Sequence, residues 1–170
     1  MNTAPVGPPV PITADHDTSG FTCRHDSLSQ WLRRRALANA TNGATRSYVV
    51  CAEHRRVVGY YALAAGSIIL ESAPARMRRN MPDPLPVIVL GRLAVHEDWS
   101  GRGSGSGSGL LKDAVLRALQ ACDIIGVGAL LCHAIDGKAK AFYVKHGFVE
   151  SPHQPLTMML GLARRMTRST

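Results

Sequence analysis

Apolar positions along this chain switch between two spacings, and the switches mark out its elements. Leu28, Trp31, Leu32 and Leu37 fall near one face of a helix that Asp26 or Ser27 can cap and that runs through about Ala40. Ser47 to Ala52 predicts a strand, Glu53 to Arg56 a polar turn, and Val57 to Ile69 a second strand, long enough to bend at Gly59 or Gly66. So short a turn makes the pair an antiparallel hairpin. Ala73 to Pro86 is a basic connector in which Pro82, Pro84 and Pro86 exclude a regular helix. Val87 to Val95 reads as a central strand. Leu111, Val115, Ala118, Leu119 and Cys122 then form one stripe of a helix over Leu110 to Cys122. Val127 to Ala134 is another buried strand, and Lys138 to His146 a short helix stopped by Gly147. Phe148 to Glu150 and Leu156 to Leu162 close the pattern. This order predicts an α/β fold, a mixed sheet with helices on both faces.

Composition adds bounds. With 170 residues, 45% of them hydrophobic and 19% charged, the chain suits one soluble domain with a sizeable core. Residues 1–20, rich in Pro, Thr and Asp, read as a loose lead-in, 21–162 as the domain, and 163–170 as a basic tail. The net charge of +8 comes largely from clustered arginines, at 33–35, 55–56, 76, 78–79, 164–165 and 168. Such clusters point to a polyanionic partner, nucleic acid or an acidic protein, against the alternative of a solvated basic surface. Cys23, Cys51, Cys122 and Cys132 form no C-x-x-C, so metal binding has no support, and the last three sit in apolar runs as small core residues. No secretory leader pattern and no apolar stretch of membrane-spanning length occurs, which makes the cytoplasm the expected location, with no membrane partner.

Between the central strand and the following helix lies Ser100 to Gly109, S-G-R-G-S-G-S-G-S-G. A glycine loop opening a helix suits an anionic phosphate, because backbone N–H groups converge there. All its glycines are odd-numbered: 101, 103, 105, 107 and 109. The dinucleotide fingerprint and the P-loop both need glycines five apart, which this parity forbids. The pattern Arg/Gln-x-x-Gly-x-Gly does fit, on Arg102, Gly105 and Gly107. A flexible linker is the bland alternative, but it would be out of place between a buried strand and an amphipathic helix of one domain.

From Val87 to Leu160 the chain resembles the GCN5-related N-acetyltransferases (GNAT). The resemblance rests on L-A-V-H before the glycine loop and L-L-K-D-A after it, on A-L-L-C-H-A, and on A-K-A-F-Y-V-K-H-G-F. Other segments narrow it: Phe21-x-Cys23, Leu28-x-x-Trp31-Leu32, the run Val58 to Ser67, and Arg78-Arg79-Asn80-Met81-Pro82-Asp83-Pro84. Together these are similar to the acetyltransferase toxins of bacterial type II toxin–antitoxin systems, over most of residues 21–160. The resemblance implies a GNAT fold, with a central mixed, mostly antiparallel sheet. It also implies transfer of an acetyl group from acetyl-coenzyme A (acetyl-CoA) to the α-amine of aminoacyl-tRNA, which blocks translation.

The same resemblance implies roles. Arg102, Gly103, Ser104, Gly105, Ser106, Gly107, Ser108 and Gly109 would hold the pyrophosphate of acetyl-CoA. Leu93, Ala94 and Val95 would receive its thioester along a splayed strand, and Phe142 would face the cofactor or the core. Tyr143 would be the acid that protonates the leaving thiolate. Arg78, Arg79 and Arg92 would meet tRNA phosphates, with Arg33 to Arg35 extending the track. A ribbon-helix-helix antitoxin would neutralise the enzyme, operator DNA would be bound only through that complex, and the toxin would be a homodimer. The loop departs from the family: it is about two residues longer, and either Ser100 or Arg102 takes the Arg/Gln position.

No general base stands out. His96, Glu97, Asp98 and His133 are candidates, each equally readable as a surface or core polar group. The α-amine of an aminoacyl ester needs less help than a lysine, since free α-amines titrate near ~7.7–8.0 and lysine near ~10.4. Two other readings stay open: a GNAT acting on a small-molecule or protein amine, and a weakened domain that only binds tRNA or a partner.

Overall fold

The computed structural model describes residues 6–99 and 107–162. The chain divides into two compact units, one built from the residues up to Ala64 with Gly91–Ala114, the other from Ala65–Leu90 with Val115 onward. Its seven strands follow the sheet order β1-β2-β3-β4-β5-β7-β6. They are β1 (Val10–Pro11), β2 (Arg46–Cys51), β3 (Val57–Ile68), β4 (Leu85–Val95), β5 (Ala129–His133), β6 (Val149–Glu150) and β7 (Thr157–Gly161). Pairing is antiparallel for β1–β2, β2–β3, β5–β7 and β6–β7, and parallel for β4–β5, so the sheet is mixed and mostly antiparallel.

In the first unit, the helical segment begins with α1 (Asp26–Trp31), widens into a π-helical turn at Leu32–Ala36, and ends as α2 (Leu37–Thr41). Asp26 lies inside the first turn; His25 holds the cap position, and its side chain makes no capping bond. Leu32 and Ala36 from the π turn join Phe21, Val49, Val57, Tyr60 and Ala94 in one core cluster. Tyr60 is its hub. Its ring stacks on Trp31 at 6.0 Å, takes the edge of Phe21 at 5.7 Å, and its hydroxyl donates to the Leu28 carbonyl at 2.7 Å.

The stretch expected to be a loose lead-in is tied down from Val10. Val10 and Pro11 pair with Val49 and Tyr48, Ile12 is buried, and Asp17 both donates to the Arg55 carbonyl and accepts from the Val57 N–H. Asp17 thereby braces the β2–β3 turn, where His54 and Arg55 adopt positive φ without the help of a glycine.

Gly59, beside a register shift in the β2–β3 pairing, and Gly66 both sit where packing is close. A Cβ on Gly59 would come within 2.9 Å of Val50 and 3.2 Å of Leu110, and one on Gly66 within 2.9 Å of Val89. These glycines let neighbouring side chains sit directly against β3. Leu110 belongs to α4 (Gly107–Cys122), which Tyr61 also pins by donating its hydroxyl to Asp113.

The second unit centres on Leu85, Val87, Ala129, Leu131 and Met159, with Ala73, Met77 and Met81 packed on the same cluster. Met77 comes from α3 (Ala75–Arg78), a single turn that the connector forms despite its prolines, because Pro82, Pro84 and Pro86 all lie beyond it. Cys132 is buried, whereas Cys51 and Cys122 are half-buried, placed at the margin of the core and not within it.

Helix α5 (Gly137–Lys145), expected from Lys138, starts under a cap that the sequence reading did not name: the Asp136 side chain accepts from the Ala139 N–H at 2.8 Å. We expect Asp136→Ala to lower stability by about 1 kcal/mol, the usual worth of an N-cap, which thermal unfolding would register. The far end follows the glycine signal. Gly147 has φ 93, its N–H bonds to the Val144 carbonyl, and the Phe148 N–H reaches back to the Tyr143 carbonyl at 3.1 Å. Two such bonds closing on a left-handed glycine define a Schellman stop.

Candidate active site

That stop places Tyr143. The residue is the third from the helix end, so the Phe148 N–H holds its carbonyl while the Phe148 ring packs on its ring at 5.3 Å. Phe142, half-buried beside it, contacts the Tyr143 ring edge-on at 5.3 Å, and His146 contacts Phe142 at 4.7 Å. The His146 Nδ1–H donates to the Phe142 carbonyl at 2.8 Å. Tyr143 therefore sits on a rigid turn with its ring clamped on two sides and only 8% of its surface exposed.

Burial pushes the Tyr143 phenol well above its ordinary range, and the Cys132 thiol, to which the hydroxyl donates, pushes it further. The phenol consequently stays protonated at any physiological pH. A donor this reluctant still suits a thiolate acceptor in the same surroundings. Cys132 reports what those surroundings do to sulfur: burial pushes its thiol up to about 12, although the bond from Tyr143 pulls the other way. Cys132 was read from sequence only as core packing; nothing in its spacing marked it as the tyrosine's partner.

In the second unit, the parallel ladder with β5 runs from Val87 to Leu90 and stops, while β4 continues through Gly91–Val95, which belong to the first. The edge that carries Leu93, Ala94 and Val95 thus extends past its β5 partner, as a strand must if its backbone is to bond a bound acyl group. Leu93 and Val95 are half-buried and Ala94 is buried. Helix α4 begins inside the glycine run: Gly107, Ser108 and Gly109 form its first turn instead of a loop ahead of it. Its positive dipole end is thereby presented at the run itself. Arg102, Gly103, Ser104, Gly105 and Ser106 lie outside the described residues. Within the first unit, a strand segment beyond the β5 ladder and a helix opening on glycine are thus both present.

The arginines divide. Arg78 and Arg79 are exposed, at the end of α3 and just after it. Arg92 is half-buried, its guanidinium over the Trp31 ring at 4.3 Å, a cation–π contact that the sequence did not foretell. Arg33 donates to the Phe21 carbonyl, whereas Arg34 and Arg35 are exposed.

Three of the four base candidates have other work or lie open to solvent. His96 is buried; its Nδ1 accepts from the Asp98 N–H at 3.1 Å and its Nε2–H donates to the Gly20 carbonyl at 3.2 Å, leaving no lone pair. Glu97 accepts from the Thr22 hydroxyl at 3.0 Å, and Asp98 is exposed, 3.8 Å from His96. His133, at the end of β5, bonds Thr157 through Nδ1 alone. Among the described residues no cluster of metal-ligating side chains occurs, and no helix is long and apolar enough to cross a membrane.

Comparison with known proteins agrees with this geometry. The chain is 50% identical over 149 residues to the tRNA-acetylating toxin of Mycobacterium tuberculosis (strain ATCC 25618 / H37Rv), covering 88% of each chain. Its fold superposes on that of AtaT complexed with acetyl-methionyl-tRNAfMet with a TM-score of 0.87 at 24% identity, over 97% of this chain and 99% of that one. A mutant AtaT toxin bound to the C-terminus of the antitoxin AtaR and acetyl-CoA superposes with a TM-score of 0.79 at 23% identity, over 98% and 100%. Residues 44–150 match the acetyltransferase (GNAT) domain, and the chain belongs to that family.

Proposed function

We propose that this acetyltransferase is a toxin that moves an acetyl group from acetyl-CoA to the α-amino group of aminoacyl-tRNA and so blocks translation. The observation that carries the reading is Tyr143, kept protonated by burial and clamped by the α5 stop, in a chain half identical to a tRNA-acetylating toxin. Acetyl-CoA supplies an activated acyl group as its thioester. The chain's own residues do the rest. Leu93, Ala94 and Val95 offer backbone N–H groups to the acyl arm and to the oxyanion that develops on attack. The run Arg102 to Gly109, with the α4 dipole behind it, compensates the pyrophosphate charge. Tyr143 gives its proton to the departing sulfur, with Phe142 setting the ring's position. Arg78 and Arg79 meet the tRNA backbone, together with Arg92, whose guanidinium is held over the Trp31 ring.

Residues 21–162 act as one catalytic domain in this reading, with 163–170 as a basic tail. The active form is a homodimer in the cytoplasm. A ribbon-helix-helix antitoxin masks the enzyme, and the complex of the two binds operator DNA. Expression of the chain alone should arrest growth, and mass spectrometry of charged tRNAs after induction should find N-acetylated aminoacyl ends. Arrest without those species would overturn the proposed substrate.

A further inference from the structure

Cys132 and His133 are neighbours on β5, so their side chains leave opposite faces of the strand. Cys132 turns to the Tyr143 hydroxyl. His133 lines an open cleft of about 280 Å³ within the second unit, whose walls include Ile68, Ile69, Leu131, Gln154 and Thr157. No other residue lining the cleft carries a titratable side chain.

The hydrogen bonds around His133 fix its tautomer. The Thr157 hydroxyl donates to Gln154 Oε1 at 2.9 Å, which spends its only proton. It must therefore accept the 3.0 Å bond from the His133 Nδ1–H. The remaining ring nitrogen, Nε2, carries a lone pair and has no partner among the described residues. Gln154, Thr157 and His133 thus form a relay that orients an imidazole with its basic nitrogen outward, the arrangement in which one nitrogen's hydrogen bond sets the role of the other.

We propose that His133 is the general base, taking a proton from the acceptor's α-ammonium in this cleft, on the face of β5 opposite the Tyr143 acid. The inference rests on the proposed substrate. The protons balance as follows. His133 Nε2 removes one proton from the ammonium and passes it to solvent. The neutral amine attacks the thioester carbonyl, the C–N bond forms and the C–S bond breaks. Tyr143 protonates the leaving thiolate and is reprotonated by the second proton, shed from the new amide nitrogen.

The test uses the full chain, acetyl-CoA and charged tRNA. His133→Gln should lower kcat/KM for aminoacyl-tRNA by about 10–100-fold, at or below the ~10²-fold lower bound for general-base loss because the acceptor amine is partly neutral already. Acetyl-CoA affinity by calorimetry should stay within two-fold. His133→Ala should regain rate when imidazole is added, which loss of a merely structural contact would not allow. Thr157→Val, which removes the relay but keeps the base, should cost less than His133→Gln. A His133→Gln rate within two-fold of wild type, or no imidazole rescue of His133→Ala, overturns the inference alone. A wild-type chain that leaves the α-amine unacetylated overturns the proposed substrate and the inference with it.

Discussion

Tyr143→Phe should abolish most acetyl transfer and growth arrest while the protein folds as before. The substitution removes one oxygen and leaves the ring against Phe142 and Phe148, each at 5.3 Å. The lost bond to Cys132 is worth about 0.5–1.5 kcal/mol, offset in part because an apolar ring no longer carries a buried hydroxyl. Turnover should fall by about 10²–10⁴, the range for removing a positioned acid. Steady-state acetylation of charged tRNA, read beside a thermal melt, separates the two effects. A fully active, fully toxic variant would falsify the assignment. The raised phenol also sets a sign for pH. A pKa above the ordinary phenol range of ~10 means that the proton is retained as pH rises toward it. The wild type should therefore show no alkaline loss of rate attributable to Tyr143 up to that range.

Arg78 and Arg79 carry the second large effect. Both side chains are exposed, beside a half-buried Met77 that anchors their turn to the second unit's core. Reversing both to Glu should raise KM for aminoacyl-tRNA steeply, since two attractions become repulsions. Each phosphate contact contributes about 0.7–0.9 to the slope of log affinity against log salt, so the double variant should lose about 1.4–1.8 from that slope. Acetyl-CoA binding should persist. An unchanged salt slope would mean that the tRNA backbone is met elsewhere.

How much of this was open to reading from sequence varied with the physics. The strands were legible because β-branched and aromatic runs bounded by polar turns have few other solutions, and β2 and β3 pair antiparallel as expected. Gly147 was legible because only a left-handed residue ends a helix that way. The π turn at Leu32–Ala36 was not: its apolar spacing is too close to the α-helical one. Nor was the fastening of Val10 to Asp17, whose Pro- and Thr-rich composition reads as loop while its backbone completes a sheet edge. At the site, Tyr143 was reachable through motif resemblance and the stripe leading into α4 through periodicity. The pairing of Tyr143 with Cys132, the stacking of Arg92 on Trp31 and the His133–Thr157 bond join positions well apart in sequence, and no local pattern encodes them.

The two outermost strands, β1 and β6, are each only two residues long, and β1 ends in a proline. A strand so short offers a newcomer almost no backbone to zip onto, and a proline there withholds a donor as well. The protein is thus poorly made for recruiting other chains by extending its sheet. Copies of itself, an inhibitor or a nucleic acid must be recognised through side chains instead, so its choice of partner can drift by surface substitution while the sheet stays intact.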